Sequence, residues 1–181
     1  GILLPKDIAT KIFNIQKVNT KGGSLRYFIS RNGIYKKDEI VGNINSFEKE
    51  GIELENLFRS FQSEIDETRN ILHNMIKDYE NRTIVAYGAS ATSTTLITHF
   101  NLDKKIDYFV DDNPGKINTY SPGFNIKVES KEMLLKKKPD LIIVFAWRYY
   151  EQIMKNIDHI NVDVILPLPK PKFLKKKTNT F

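Results

Sequence analysis

Four short apolar runs alternating with helical stretches over residues 81–170 predict an α/β fold. It would be a small parallel sheet with flanking helices, preceded by a β-hairpin and a long amphipathic helix. Three observations carry this. β-Type runs at 83–87, 107–111, 140–146 and 162–168 are separated by helical stretches at about 91–101, 130–138 and 147–158. The run at 140–146 (DLIIVFA) is apolar after its first residue, as a central strand buried on both faces should be. Residues 83–91 (TIVAYGASA) pass from an apolar run through small residues into a helical stretch, and the next run ends in Asp111 and Asp112. Strand, small-residue loop, helix, then strand ending in acid is the outline of a nucleotide-binding βαβ unit. Right-handed crossovers make the domain Rossmann-like.

Taken from the N-terminus, Ile12, Phe13, Ile15 and Val18 mark a first strand and residues 24–30 a second. Between them Gly22 and Gly23 permit the positive φ of a tight reversal. An isolated hairpin is not stable in water, and the remaining sequence offers it no obvious sheet. Gly rather than Met at position 1 suggests a tag scar or an excised fragment, and the unpartnered hairpin is a second hint of truncation. Over residues 52–79, Leu57, Phe61, Ile65, Leu72, Ile76 and Tyr79 recur at helical spacing with no Pro or internal Gly, which predicts one long packing or connecting helix. The expected organisation is a hairpin remnant of an upstream domain (1–32), a linker with the long helix (33–80), the Rossmann-like domain (81–170), and a disordered basic tail (171–181).

Composition narrows the function classes. Hydrophobic residues make up 40% and charged residues 28%, a globular balance. Much of the +6 net charge comes from Lys136–138 and the lysines at 170, 172 and 175–177, so it reads as solvated surface and tail rather than a nucleic-acid patch. There is no cysteine, which excludes thiolate catalysis and cysteine-based metal sites. His73, His99 and His159 are far apart, so a structural metal is not expected. No apolar run approaches a membrane span and no signal pattern opens the chain, which makes the cytoplasm the default location.

The candidate site lies at the carboxyl ends of the strands. In the loop Gly88, Ala89, Ser90, Ala91, Thr92, Ser93, small side chains let a phosphate approach the backbone, and the helix that follows offers free N–H groups. The alternative is a well-capped strand–helix turn. Asp111, 23 residues after Gly88, is where such folds place the carboxylate that holds ribose hydroxyls. Asp112-Asn113-Pro114-Gly115 is also a turn signal, so one of the acids is a candidate turn cap. Tyr120 lies in a further turn, and Trp147, Arg148, Tyr149 and Tyr150 follow the central strand with rings and a guanidinium suited to a base or phosphate or, equally, to simple helix packing. No residue stands out as catalytic.

These segments resemble the C-terminal part of the sugar C-methyltransferases, which act on nucleotide-linked deoxysugars using S-adenosylmethionine. TKGGSLR at 20–26 resembles the family's THGGSLR. YGASATSTTL at 87–96 resembles YGASAKGxTL. FVDDNPGK at 109–116, continuing to YSPG at 120–123, resembles VDDNPxK followed by YxPG. Ala146-Trp147, Glu151-Gln152-Ile153 and Pro167-Leu168-Pro169 complete a match over about residues 10–170. The resemblance implies a domain that helps hold the nucleotide-linked sugar through Gly88, Ala89, Ser90, Thr92, Ser93, Asp111, Asp112, Tyr120, Trp147 and Arg148. S-Adenosylmethionine, a structural zinc and the catalytic groups are then expected on an upstream methyltransferase domain, so that this chain alone transfers no methyl group. Three residues depart from the pattern: Lys21 replaces His, Thr92-Ser93 replace Lys-Gly, and Arg148 replaces Asn. They leave both a shifted substrate and a purely structural domain open. Two rival readings are an NAD(P)-binding oxidoreductase fragment and a non-catalytic module that forms a homodimer through the long helix.

Overall fold

A computed structural model describes residues 10–19, 24–31, 34–42 and 54–176. The chain divides into two compact units, Gly1–Ser60 and Phe61–Phe181. In the first, β1 (Thr10–Val18) and β2 (Ser24–Arg31) form the expected antiparallel hairpin, with a bulge between Ile12 and Asn14. Its reversal, residues 20–23, lies outside the described residues, as does Lys21. Phe13 stacks on Tyr35 with ring centroids 4.6 Å apart, and its carbonyl accepts from the Asp38 N–H at 2.8 Å. Ile15 is buried, yet Leu25, Tyr27 and Ile29, alternate residues sharing one face of β2, stay 37–40% exposed.

The long helix α1 (Leu54–Ile76) ends in a 3-10 turn at Lys77–Tyr79. Its apolar stripe is buried only towards its C-terminal end, at Leu72 and Ile76, whereas Phe58 and Phe61 are more than half exposed. Arg69 Nε donates to the His99 carbonyl at 2.6 Å, and His73 Nε2 lies 2.8 Å from the Phe100 carbonyl. The C-terminal half of α1 is thereby tied to the end of the next helix, whose last carbonyls would otherwise lack partners.

That next helix belongs to the alternating region, which runs β3 (Ile84–Tyr87), α2 (Ala91–Phe100), β4 (Tyr108–Val110), β5 (Val128–Glu129), α3 (Glu132–Lys137), β6 (Leu141–Val144), α4 (Tyr150–Ile157), β7 (Asp163–Leu166) and β8 (Lys172–Leu174). The six strands form one sheet in the order β5-β4-β3-β6-β7-β8, all parallel except β8. Every residue of β3 and β6 is buried, so the sheet is covered on both faces. The side-chain period of two sorts them. Ile84 and Ala86 join a core with Leu72, Ile97, Phe100 and Phe145; Val85 and Tyr87 join a second with Leu134, Ile153 and Ile157. Helices α1 and α2 therefore cover one face and α3 and α4 the other.

Aspartates secure the amino edge of the strands. Asp107 Oδ2 accepts from the Ile84 N–H at 2.7 Å and Asp140 Oδ2 from the Thr83 N–H at 3.0 Å. Asp163 accepts from the Tyr79 hydroxyl and, at 2.7 Å, from the Lys176 N–H. Burial alone would raise the Asp163 pKa, but those donors and the Lys176 and Lys175 charges outweigh it and hold the group below its ordinary value.

Two elements differ from expectation. Strand β5 was not anticipated, and its two residues are too few to show a pattern. The tail expected to be disordered from residue 171 instead begins with β8, antiparallel to β7, because Phe173 packs against the core and lies 6.2 Å from the Tyr79 ring. Residues 177–181 lie outside the described residues. No described helix is long and apolar enough to cross a membrane.

Candidate functional site

The strand order places β3 first, β4 and β5 to one side and β6, β7 and β8 to the other. The direction of winding therefore reverses between β3 and β6, and open α/β sheets bind ligands outside the carboxyl ends of the strands at that reversal. Gly88 occupies this point. Its φ is +99°, and a Cβ there would meet Ala146 Cβ at 2.6 Å and Ala146 N at 3.0 Å. Glycine is required both for the turn and for the close approach of the β3 and β6 exits. The Gly88 N–H donates to the Val110 carbonyl at 2.7 Å, and the Phe145 and Ala146 N–H groups to the Tyr87 carbonyl at 3.0 and 3.1 Å.

The loop then closes into α2 through a capping box. Ser90 Oγ accepts from the Ser93 N–H, and Ser93 Oγ accepts from the Ser90 N–H, both at 3.3 Å. Ser93, 1% exposed, also donates to the Gly88 carbonyl. Its hydroxyl is thus committed to holding the turn, while Ser90 and Thr92 remain exposed.

The paired acids divide the work. Asp111, 9% exposed, faces inward: Oδ2 accepts from the Ala89 N–H at 2.7 Å and from Lys116 Nζ at 3.0 Å, and Oδ1 from the Asn113 N–H at 2.9 Å. It is therefore the turn cap foreseen as one alternative, and it clamps the small-residue loop as well. Asp112 is exposed and accepts from the Tyr87 hydroxyl with both oxygens at 2.9 Å. Burial and the adjoining Asp112 carboxylate push the Tyr87 hydroxyl well above the ordinary tyrosine range.

Two clefts flank the loop. One, about 260 Å³, is lined by Gly88, Ser90, Thr92, Asp111, Trp147 and Arg148 together with Lys116 and Tyr149. The other, about 290 Å³, lies between Ala89, Ser90, Thr94 and the turn Thr119, Tyr120, Ser121 and Pro122, again with Lys116. That turn is fixed by the Ser121 hydroxyl, which accepts from the Ile126 N–H at 3.1 Å, and by the antiparallel bridge of Tyr120 to Lys127. The Arg148 guanidinium lies 4.2 Å from the Trp147 ring centroid, a cation–π contact that presents a cation at the cleft wall.

Eight of the ten expected site residues thus line one cleft or the other; Ser93 and Asp112 line neither and act within the scaffold. Sequence reasoning missed Lys116, Thr119 and Ser121, while Tyr149 is one of the rings read at the end of the central strand. The signal for Lys116 was available: it ends the short turn opened by Asn113, whose side chain accepts from the Gly115 N–H at 2.9 Å and so returns the chain towards Asp111.

C-methyltransferase NovU of Streptomyces niveus is 21% identical over 176 residues, a match covering 93% of this chain and 42% of that protein. The chain therefore spans less than half the length of this curated relative. Among solved structures, UDP-D-quinovosamine 4-dehydrogenase from Vibrio fischeri is similar over 52% of this chain and 93% of its own, at 14% identity and a TM-score of 0.39. The C-methyltransferase C-terminal domain family matches residues 19–169, and the chain belongs to that family.

Proposed function

We propose that this chain is the part of a C-methyltransferase that grips a nucleotide-linked sugar, with methyl transfer carried out elsewhere in the whole protein. One observation carries the reading. At the winding reversal of the sheet, a glycine-pivoted loop and helix start are bordered by two clefts lined with hydroxyls, aromatic rings and cations. The polar groups there are arranged to hold rather than to react. Ser93 caps α2, Asp111 clamps the loop, and Asp112 holds the Tyr87 hydroxyl. In the whole protein, S-adenosylmethionine would supply the methyl group. Zinc does not fit the residues here, since the chain has no cysteine and no three described His, Asp or Glu residues cluster, and Ser90 and Ser93 stand where a dinucleotide fingerprint has glycines, which counts against the NAD(P) reading. The contribution of these residues is positioning, which in favourable cases lowers a bimolecular barrier by several kcal/mol.

The test is calorimetric titration with uridine and thymidine diphosphate glucose, S-adenosylmethionine and NADH in parallel. Binding of a sugar nucleotide alone is the expected result, weakened by Arg148→Ala. Saturable NADH binding would favour the oxidoreductase reading instead. If no sugar nucleotide binds, the proposal fails.

A further inference from the structure

The two clefts raise a question of size. Pockets that enclose small organic ligands usually measure about 300–1,000 Å³. At about 260 and 290 Å³, each cleft sits at the lower edge of that range, while the pair falls well within it. They are also not independent, because Ser90 and Lys116 line both. A ligand that fills both must therefore cross the ridge these two residues make.

The chemistry of the ridge and of its two sides differs. On the ridge stand an ammonium group and an exposed hydroxyl at the start of α2, where N–H groups and the helix dipole favour negative charge. The Trp147 side offers Tyr149, 72% exposed, and the Arg148 guanidinium, flat surfaces suited to a planar ring. The other side offers Thr94, Thr119 and Tyr120, hydroxyls beside an aromatic face, which suit a polyhydroxylated ring. Lys116 is the one cation among the residues lining the Tyr120 side. Its partner Asp111 does not depend on it, since that carboxylate also accepts two backbone N–H groups.

We propose that the two clefts are one bipartite site in which Lys116 binds the diphosphate linker of the ligand, the base lying against Tyr149 and Arg148 and the sugar against Tyr120 and Thr119. This rests on the sugar-nucleotide reading and adds to it a binding residue and an orientation.

The test uses the whole chain and three probes: a nucleoside diphosphate glucose, the nucleoside diphosphate and the nucleoside. Lys116→Met should weaken both diphosphates about ten- to hundred-fold, the usual effect of a charged hydrogen bond, and leave the nucleoside unchanged. Lys116→Arg should retain affinity within about three-fold, and thermal melts should show both variants folded. Tyr120→Ala should weaken only the sugar-bearing probe, and Tyr149→Ala all three. Undiminished diphosphate binding by folded Lys116→Met overturns this inference while leaving the sugar-nucleotide reading intact. Equal loss of the nucleoside in that variant also overturns it, because a merely structural role for Lys116 would act on every probe. Exchange of the Tyr120 and Tyr149 patterns overturns the orientation. Absence of binding by the unaltered chain overturns both readings.

Discussion

Replacing Gly88 with Ala tests the geometry on which the site depends. Two costs add. A residue with a side chain held at φ +99° is strained by about 1–3 kcal/mol. Its Cβ would also lie 2.6 Å from Ala146 Cβ, and relieving such overpacking typically costs a further 1–3 kcal/mol. The sum, about 2–6 kcal/mol, is large against a whole-domain stability of about 5–15 kcal/mol. Urea denaturation followed by circular dichroism should show a lower midpoint, and each kcal/mol should lower Tm by roughly 2–8 °C. The double variant Gly88→Ala, Ala146→Gly separates the terms. Deleting the Ala146 methyl removes the closest contact and leaves the backbone strain, so the cycle should give a favourable coupling of about 1–2 kcal/mol. Coupling below about 0.5 kcal/mol, the usual limit for independent sites, would refute the idea that close approach of the two strand exits demands glycine.

Other outcomes follow from the charges and buried polar atoms. Asp111→Ala leaves the Ala89 and Asn113 N–H groups and Lys116 without their acceptor and should destabilise the chain by about 3 kcal/mol in the same denaturation assay, with Asp111→Asn milder. Glu129 is held below the usual glutamate range by the hydrogen bond from Lys127, against the opposing effect of burial, with help from Lys137. Its contribution is therefore complete above the ordinary value of 4.5 and is lost as pH falls through the depressed one. Glu129→Gln should flatten the acid side of a Tm–pH profile. The Tyr108 hydroxyl is buried with no hydrogen-bond partner among the described residues. Burial, with Glu129 and Asp107 nearby, pushes its pKa up to about 12. The folded value exceeds the unfolded one, so the contribution present below pH 10.0 is lost as pH rises towards 12. Tyr108→Phe should be neutral or stabilising by up to about 1 kcal/mol near pH 7 and should lose less stability in alkali, as melts across that range would show.

The sheet was legible in the sequence because its central strands are buried on both sides, and burial on both sides leaves a contiguous apolar run such as Leu141–Val144. The hairpin was legible from two β-rich runs about a Gly-Gly pair. Asp111 was harder. Spacing located it at the right strand end, but the turn that it caps sends its carboxylate back to Ala89, and spacing carries no information about which atoms an oxygen meets. Lys116 was overlooked because a lysine in a turn looks solvated until the turn is folded back on an acid. The last strand escaped notice for a related reason: in a lysine-rich stretch its edge position needs only Phe173 to face inward, and one apolar residue makes no pattern.

That last strand has a consequence for handling the protein. The outer side of β7 carries a row of backbone N–H and C=O groups along the apolar residues Val164, Ile165 and Leu166, and β8 is what pairs with them. The opposite margin, β5, is only two residues long and offers little to pair with. Shortening the chain after Pro171 would uncover the β7 row and create a template for intermolecular strand addition. Such a truncated protein should form light-scattering aggregates at concentrations where the chain extending through Leu174 stays dispersed.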